Sequence, residues 1–203
     1  MNICSLSPLK GRPREFDLDD ALAAALRVFW RNGYEAASMA ELTAAMGITK
    51  PSLYAAFGNK EALFHKALDL YEREKLAYMT SALEAPTARG VAERLLRGAL
   101  AMQMSTCDPK GCLGVISSAA CGAEAESIKA EVVKRRASSE AAVIRRFEQA
   151  EAVGELPDGM TPPALVRYLF ALLSGLALQS GAGATCDELG QLVETSLSVW
   201  PTK

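Results

Sequence analysis

"ITKPSLYAAFGNKEALF", residues 48–64, holds two helix-start signals within about a dozen positions: Thr49 followed by Pro51, and Asn59 followed by Glu61. A helix confined between them has room for about two turns at 3.6 residues per turn. That is too short to be stable alone in water, so it must lean on a neighbour. Leu53 and Phe57, four apart, supply the inward face. Lys50 and Tyr54, also four apart, share another face, with Ser52 and Lys60 close by.

Working outward, the neighbours are in place. "SMAELTAAMG" (38–47) opens with the capping-box pair Ser38 and Glu41, closes at Gly47, and sets Met39, Leu42 and Met46 along one side. "DLDDALAAALRVFWRNG" (17–33) starts at a capping Asp17, places Leu22, Leu26, Phe29 and Trp30 at core spacing, and meets Gly33 after its end. Two short helices joined by a Gly-containing turn and resting on a third form a helix-turn-helix unit. The short helix then has a purpose, because its outer face fits a DNA major groove about 12 Å wide.

The stretch "GYEAASMAELTAAMGITKPSLYAAFGNKEALF" closely resembles the DNA-binding domain of the TetR family of bacterial transcriptional regulators, most of them repressors. The resemblance covers roughly residues 12 to 75, with Gly33, Tyr34, Ser38, Met39, Ile48, Leu53, Tyr54, Phe57, Lys60, Glu61, Leu63 and Phe64 in register. It implies that Ser38, Met39, Tyr54 and Lys60 hold phosphates, while Lys50, Pro51, Ser52 and Leu53 face bases or the sugar edge. Pro51 departs from the Gly or Ala often found there. Electrostatics agree with much of this assignment, since Ser38 and Thr49 mark helix N-termini that favour an anion. Lys60 offers a point charge at the start of the fourth helix.

The chain has 203 residues, half of them hydrophobic and 23% charged, with a mean hydropathy of +0.08. It reads as all-α, because Ala and Leu are abundant and no stretch keeps period-two alternation. The expected organisation is a basic arm over residues 1–13, a helix-turn-helix domain over 14–60, and an effector-binding and dimerisation domain over 61–203. "MNICSLSPLKGRPR" lacks the apolar core of a signal peptide, so a cytoplasmic protein with mainly reduced cysteines is expected. The net charge of −2 and pI near 5.6 do not match a uniformly basic DNA binder. The positive charge is local, at Lys10, Arg12 and Arg14. Those arginines either enter a minor groove or keep the arm soluble.

Beyond "EAPTARG" (84–90) the chain reads as further helices: 91–105, a break at "TCDPKGC" (106–112), "LGVISSAACG", about 124 to 152, and a last pair. In the TetR family the final two helices pair across a two-fold axis. The stripes Leu165, Leu169, Leu172, Leu176 and Leu189, Leu192, Val193, Leu197 suit that role. "FALLSGLALQSGAGA" also invites a membrane reading, but Ser174, Gln179 and Ser180 interrupt it, and close packing between soluble subunits fits better. Candidate walls for a small-molecule cavity are Met79, Leu100, Met104, Cys112, Val115, Ile116, Phe147 and Phe170, which serve equally well as core.

Enzyme signatures are missing: His65 is the lone histidine, no Gly-rich phosphate loop follows a strand, and the carboxylates are scattered as helix-surface charges. Cys107, Cys112, Cys121 and Cys186 are poorly spaced for zinc, and no metal or other cofactor is expected. Cys107 and Cys112 flank "DPKG" and are closer to a redox pair, with Lys110 placed to lower a thiol pKa. The expected function is a homodimeric regulator that binds a palindromic operator and is released by an unknown small-molecule effector. A thiol sensor on the same scaffold, an all-α enzyme and a helical interaction module are the alternatives.

Overall fold

The computed structural model describes residues 16–119, 122 and 125–201. Among them the chain forms ten helices: α1 (Leu18–Ala36), α2 (Met39–Met46), α3 (Lys50–Phe57), α4 (Lys60–Lys75), α5 (Ala77–Ala82), α6 (Ala88–Met104), α7 (Leu113–Ala119), α8 (Glu126–Ala152), α9 (Pro162–Gly181) and α10 (Cys186–Ser198). The structure is all-α, as the sequence implies. Arg12 and Arg14 lie outside the described residues.

Side-chain caps set the starts of the headpiece helices. Asp17 accepts from the backbone N–H groups of Asp19 and Asp20, Ser38 from Glu41, Thr49 from Ser52 and Asn59 from Ala62. Gly47 ends α2 in the left-handed region (φ 65°), which lets its N–H reach the carbonyls of Thr43 and Ala44. Gly33 adopts φ 77° and turns the last part of α1. The helical stretch that starts at Lys60 divides at Leu76, whose ψ of 7° rotates α5 out of phase with α4.

Two hydrophobic cores result. The first gathers Leu26, Phe29, Trp30, Leu42, Leu53, Phe57, Phe64 and Tyr71, but also Leu113, Ile128 and Val132 from α7 and α8. The N-terminal helices therefore share one core with the second half of the chain. The second core joins α6, α8, α9 and α10 through Leu95, Leu96, Phe147, Leu169 and Val193. Among the described residues, α9 is the helix long and apolar enough to cross a membrane by length and composition, and it is only partly buried.

Leu165, Leu169, Leu176, Leu189, Val193 and Leu197 are each less than a tenth exposed within the single chain. The expectation that they form a subunit contact is corrected: they fill the second core, facing inward. Of that set only Leu172 and Leu192 keep some exposure.

Candidate functional site

The outer face of α3 presents Lys50, Pro51 and Tyr54 to solvent, with Tyr54 47% exposed. The Lys50 ammonium lies 5.9 Å from the centre of the Tyr54 ring, so the two side chains form one basic, aromatic patch. Thr49 Oγ1 and Ser52 Oγ are 2.9 Å apart at the start of the helix. At the start of α2, Ser38 is exposed and Met39 half-buried, and Asn32 Nδ2 of α1 donates to Glu41 Oε1 at 2.7 Å and braces α2. Lys60 is held more tightly than a free surface lysine. Its Nζ donates to the Glu35 carbonyl at 3.2 Å and stands 4.6 Å from the Tyr34 ring centre. Burial lowers its pKa, partly offset by Glu35. Two N–H donors of the ammonium remain for an anion.

Leu53 points the other way and is fully buried. The expectation that it faces DNA is corrected, since an α3 with no grip on the first core would have no fixed orientation.

A cavity of about 120 Å³ opens between α4, α5, α6, α7, α8 and α9. Its walls include Leu68, Tyr71, Tyr78, Met79, Met102, Cys112, Val115, Val132 and Phe170. Tyr71 is buried, and its hydroxyl donates only to sulfur, to Cys112 Sγ at 3.4 Å and Met102 Sδ at 3.8 Å. Burial raises the Tyr71 pKa well above the phenol range, and the nearby Cys112 thiol adds to that. Tyr78 shifts upward for the same two reasons. The Tyr78 ring lies flat on α6 at Gly98, where a Cβ would overlap it.

The expected cavity residues divide. Met79, Cys112, Val115 and Phe170 line the space. Leu100 and Phe147 instead pack into the second core, Ile116 packs on the first core beside Gly33, and Met104 is 52% exposed at the end of α6. Lys110 is not poised over a thiol: its Nζ donates to the carbonyls of Gln103 at 2.6 Å and Ser105 at 2.9 Å. Cys107 is exposed and free, whereas Cys112 is half-buried.

The segment 105–112 links these two regions. Trp30 Nε1 of α1 donates to the Gly111 carbonyl at 3.2 Å, and Gln103 of α6 completes the junction by donating to that carbonyl and accepting from the Gly111 N–H at 2.8 Å. Lys75 of α4 pairs with Asp108 at 2.7 Å. On the opposite wall Arg135 of α8 clamps α4 through Asp69 at 2.7 Å and Glu72 at 2.9 Å, and bonds Glu131 on its own helix.

Comparison with known proteins decides what kind of molecule carries this arrangement. The family model described as bacterial regulatory proteins, tetR family, matches residues 21–67. The HTH-type transcriptional repressor ComR of Escherichia coli (strain K12) is 32% identical over 196 residues, covering 95% of this chain and 92% of ComR. The chain belongs to the TetR family. A cysteine-substituted form of the TetR-family regulator CifR, solved with 26-bp double-stranded operator DNA, is 38% identical with a TM-score of 0.87, covering 94% of this chain and all of that one. A TetR-type regulator from Rhodococcus sp. RHA1 is 36% identical with a TM-score of 0.62, over 92% of this chain and all of that one. The chain is a TetR-type transcriptional regulator, and the relatives are regulators rather than enzymes.

Against that identity, the cavity residues absent from the sequence reading stand out: Tyr71, Tyr78, Met102, Gln103 and Val132. Gly98 was the available signal, because a glycine inside a good helix marks a close approach. The TetR headpiece also uses Tyr34 beneath Lys60, which the family register includes without giving it a role.

Proposed function

We propose that this TetR-family chain is a homodimeric repressor that binds a palindromic operator through α2, α3 and the start of α4 and is released when a small molecule occupies the cavity. The observation that carries the reading is double service on one helix. Leu68 and Tyr71 of α4 belong to the first core, which orients α3, and also to the cavity wall. A ligand that displaces them moves the base of the recognition helix. Half-sites lie about 34–36 Å apart, one helical turn of DNA, so a shift of a few ångströms in each protomer spoils the fit. The Trp30–Gly111–Gln103 junction supports a second route from cavity wall to headpiece.

Operator DNA is the partner of the similar CifR, and the patch of Lys50, Ser52 and Tyr54 supports the same partner here. For the homodimer, the outward face of α9 offers Tyr168 and Leu178, 39% and 59% exposed. Gly175 on α9 and Gly190 on α10 face open space, which admits the backbone of a second copy. That contact accounts for the incomplete burial of α9 without a membrane.

The test starts from genomic fragments captured by the purified protein, which should contain an inverted repeat. Compounds that raise its thermal midpoint are then titrated into the complex. Cavity binders should release the DNA, and binders that leave operator affinity unchanged would contradict the reading.

A second reading, a thiol sensor, is favoured by the place of Cys112, a free thiol on the cavity wall 3.4 Å from the Tyr71 hydroxyl, where a reagent that enters the cavity meets the sulfur. Treating wild type and Cys112→Ser with hypochlorite or a quinone separates the two. Release from the operator in wild type alone supports the sensor, and equal behaviour leaves Cys112 as packing.

A further inference from the structure

The cavity's polar groups are unequally occupied. Gln103 is saturated by both backbone groups of Gly111. Ser139 and Ser174 donate back to their own helices, to the carbonyls of Arg135 at 3.3 Å and Phe170 at 2.7 Å. Arg135 is taken by Asp69, Glu72 and Glu131, and Arg136 Nε by Glu140 at 2.8 Å. Two phenols remain. Tyr71 has only sulfur acceptors, and the Tyr78 hydroxyl has no hydrogen-bond partner among the described residues. Both stay protonated at any physiological pH, so both are donors, and neither has an oxygen acceptor among the described residues. Tyr78 is half-buried with its side chain on the cavity wall, so an oxygen bound there would give its hydroxyl an acceptor and offer Tyr71 a stronger one than sulfur.

The charges at the cavity mouth exclude the simplest alternatives. The two arginines of the lining are already paired, Arg135 with Asp69, Glu72 and Glu131 and Arg136 with Glu140, so an anion would have to compete with those carboxylates. The walls themselves are aliphatic, aromatic and thioether, with no carboxylate aimed at a cation except Glu72, which Arg135 neutralises. The cavity is open at its mouth, and its volume of about 120 Å³ is of the same order as the roughly 150 Å³ of an apolar cavity that holds benzene, which limits the occupant to one small ring with its substituent towards the mouth.

We infer that the effector is a small, neutral, largely apolar carbonyl compound, its ring among Met79, Val115 and Phe170 and its oxygen accepting from Tyr78 and Tyr71. This rests on the cavity being the effector site, and it adds the chemical class. Tyr78 is then the residue that sets specificity, and Gly98 the residue that lets its ring lie in place.

The test uses the purified full-length protein and three probes of one shape: acetophenone, its hydrocarbon isostere α-methylstyrene, and benzoate. Calorimetry should give acetophenone about tenfold tighter than α-methylstyrene, a difference of about 1.4 kcal/mol. Benzoate should bind more weakly than either. Tyr78→Phe should bring acetophenone to the level of α-methylstyrene while leaving α-methylstyrene unchanged, which shows that the cavity is intact. Equal affinity for acetophenone and α-methylstyrene, a preference that survives Tyr78→Phe combined with Tyr71→Phe, tightest binding of benzoate, or no saturable binding of any probe would each overturn the inference. Operator release is read in parallel. Release by both probes at equal affinity removes the carbonyl claim and keeps the effector site, whereas Tyr78-dependent binding without release keeps the carbonyl site and removes the repressor-release reading.

Discussion

The recognition face and the cavity are built by different means. On α3 every functional side chain is placed by local chemistry: the Thr49 cap, Pro51 in the first turn and the four-residue step from Lys50 to Tyr54. The cavity draws on six helices, from Leu68 to Ala177, and its junction to the headpiece hangs on the two backbone groups of Gly111. The first arrangement is set within two turns of one helix, whereas the second depends on how six helices pack. A regulator needs both, because a signal passes only if the sensing part yields while the reading part keeps its shape.

The largest effect expected from breaking this contrast lies outside both regions. Leu178→Glu puts an unpaired charge on the outward face of α9, and once buried between subunits it should cost about 3–5 kcal/mol. Sedimentation should then show monomers with an unchanged helical spectrum, and operator binding should collapse. An intact dimer would move the subunit contact to another face.

Next comes the junction. Gln103→Leu leaves the Gly111 N–H without its partner, at a cost of about 1–3 kcal/mol in thermal or denaturant unfolding. Trp30→Phe removes only the indole donor and should destabilise less, yet weaken coupling between cavity and DNA. If Trp30→Phe leaves release unaltered, the route runs through α4 alone.

The recognition face gives a cleaner separation. Lys50→Ala should change sequence preference among operator variants by about 1–3 kcal/mol at the contacted base pair. Lys60→Ala should weaken all sequences alike and reduce the slope of log affinity against log salt by about 1 per site. Identical effects from both would mean that α3 is not the reading helix.

The smallest effect concerns Asp108. Burial pushes its carboxyl pKa up, but hydrogen bonds from Lys75 and Ser105 and the charges of Lys75 and Arg27 outweigh that and hold it below the usual value. A depressed carboxyl stabilises the fold above its unfolded pKa, near about 4, and loses that contribution as the pH falls through the folded value. Asp108→Asn should therefore cost less than about 1 kcal/mol at neutral pH, with the difference from wild type fading below about pH 4.

What could be read from the sequence follows the same division. Ser38 with Glu41, Gly47, and Thr49 with Pro51 are signals within one turn, and they fixed three helices and the face of Lys50 and Tyr54. The final helices misled because α9 is apolar on two sides. Leu165, Leu169 and Leu176 face inward, while the smaller Ala164, Ala171 and Gly175 line the outer side. Tyr71 and Tyr78 were missed because nothing in the residues between them signals the break at Leu76, which lets α4 and α5 meet at one cavity. The junction of Trp30 to Gly111 spans 81 residues and leaves no local pattern.

The central claim is that cavity and operator face are energetically coupled, and coupling is reciprocal. The direct measurement takes the tightest cavity binder found by screening and determines its affinity for the protein alone and for the protein saturated with operator. The account predicts binding at least about fivefold weaker on the operator complex. Equal affinities in the two states would contradict it.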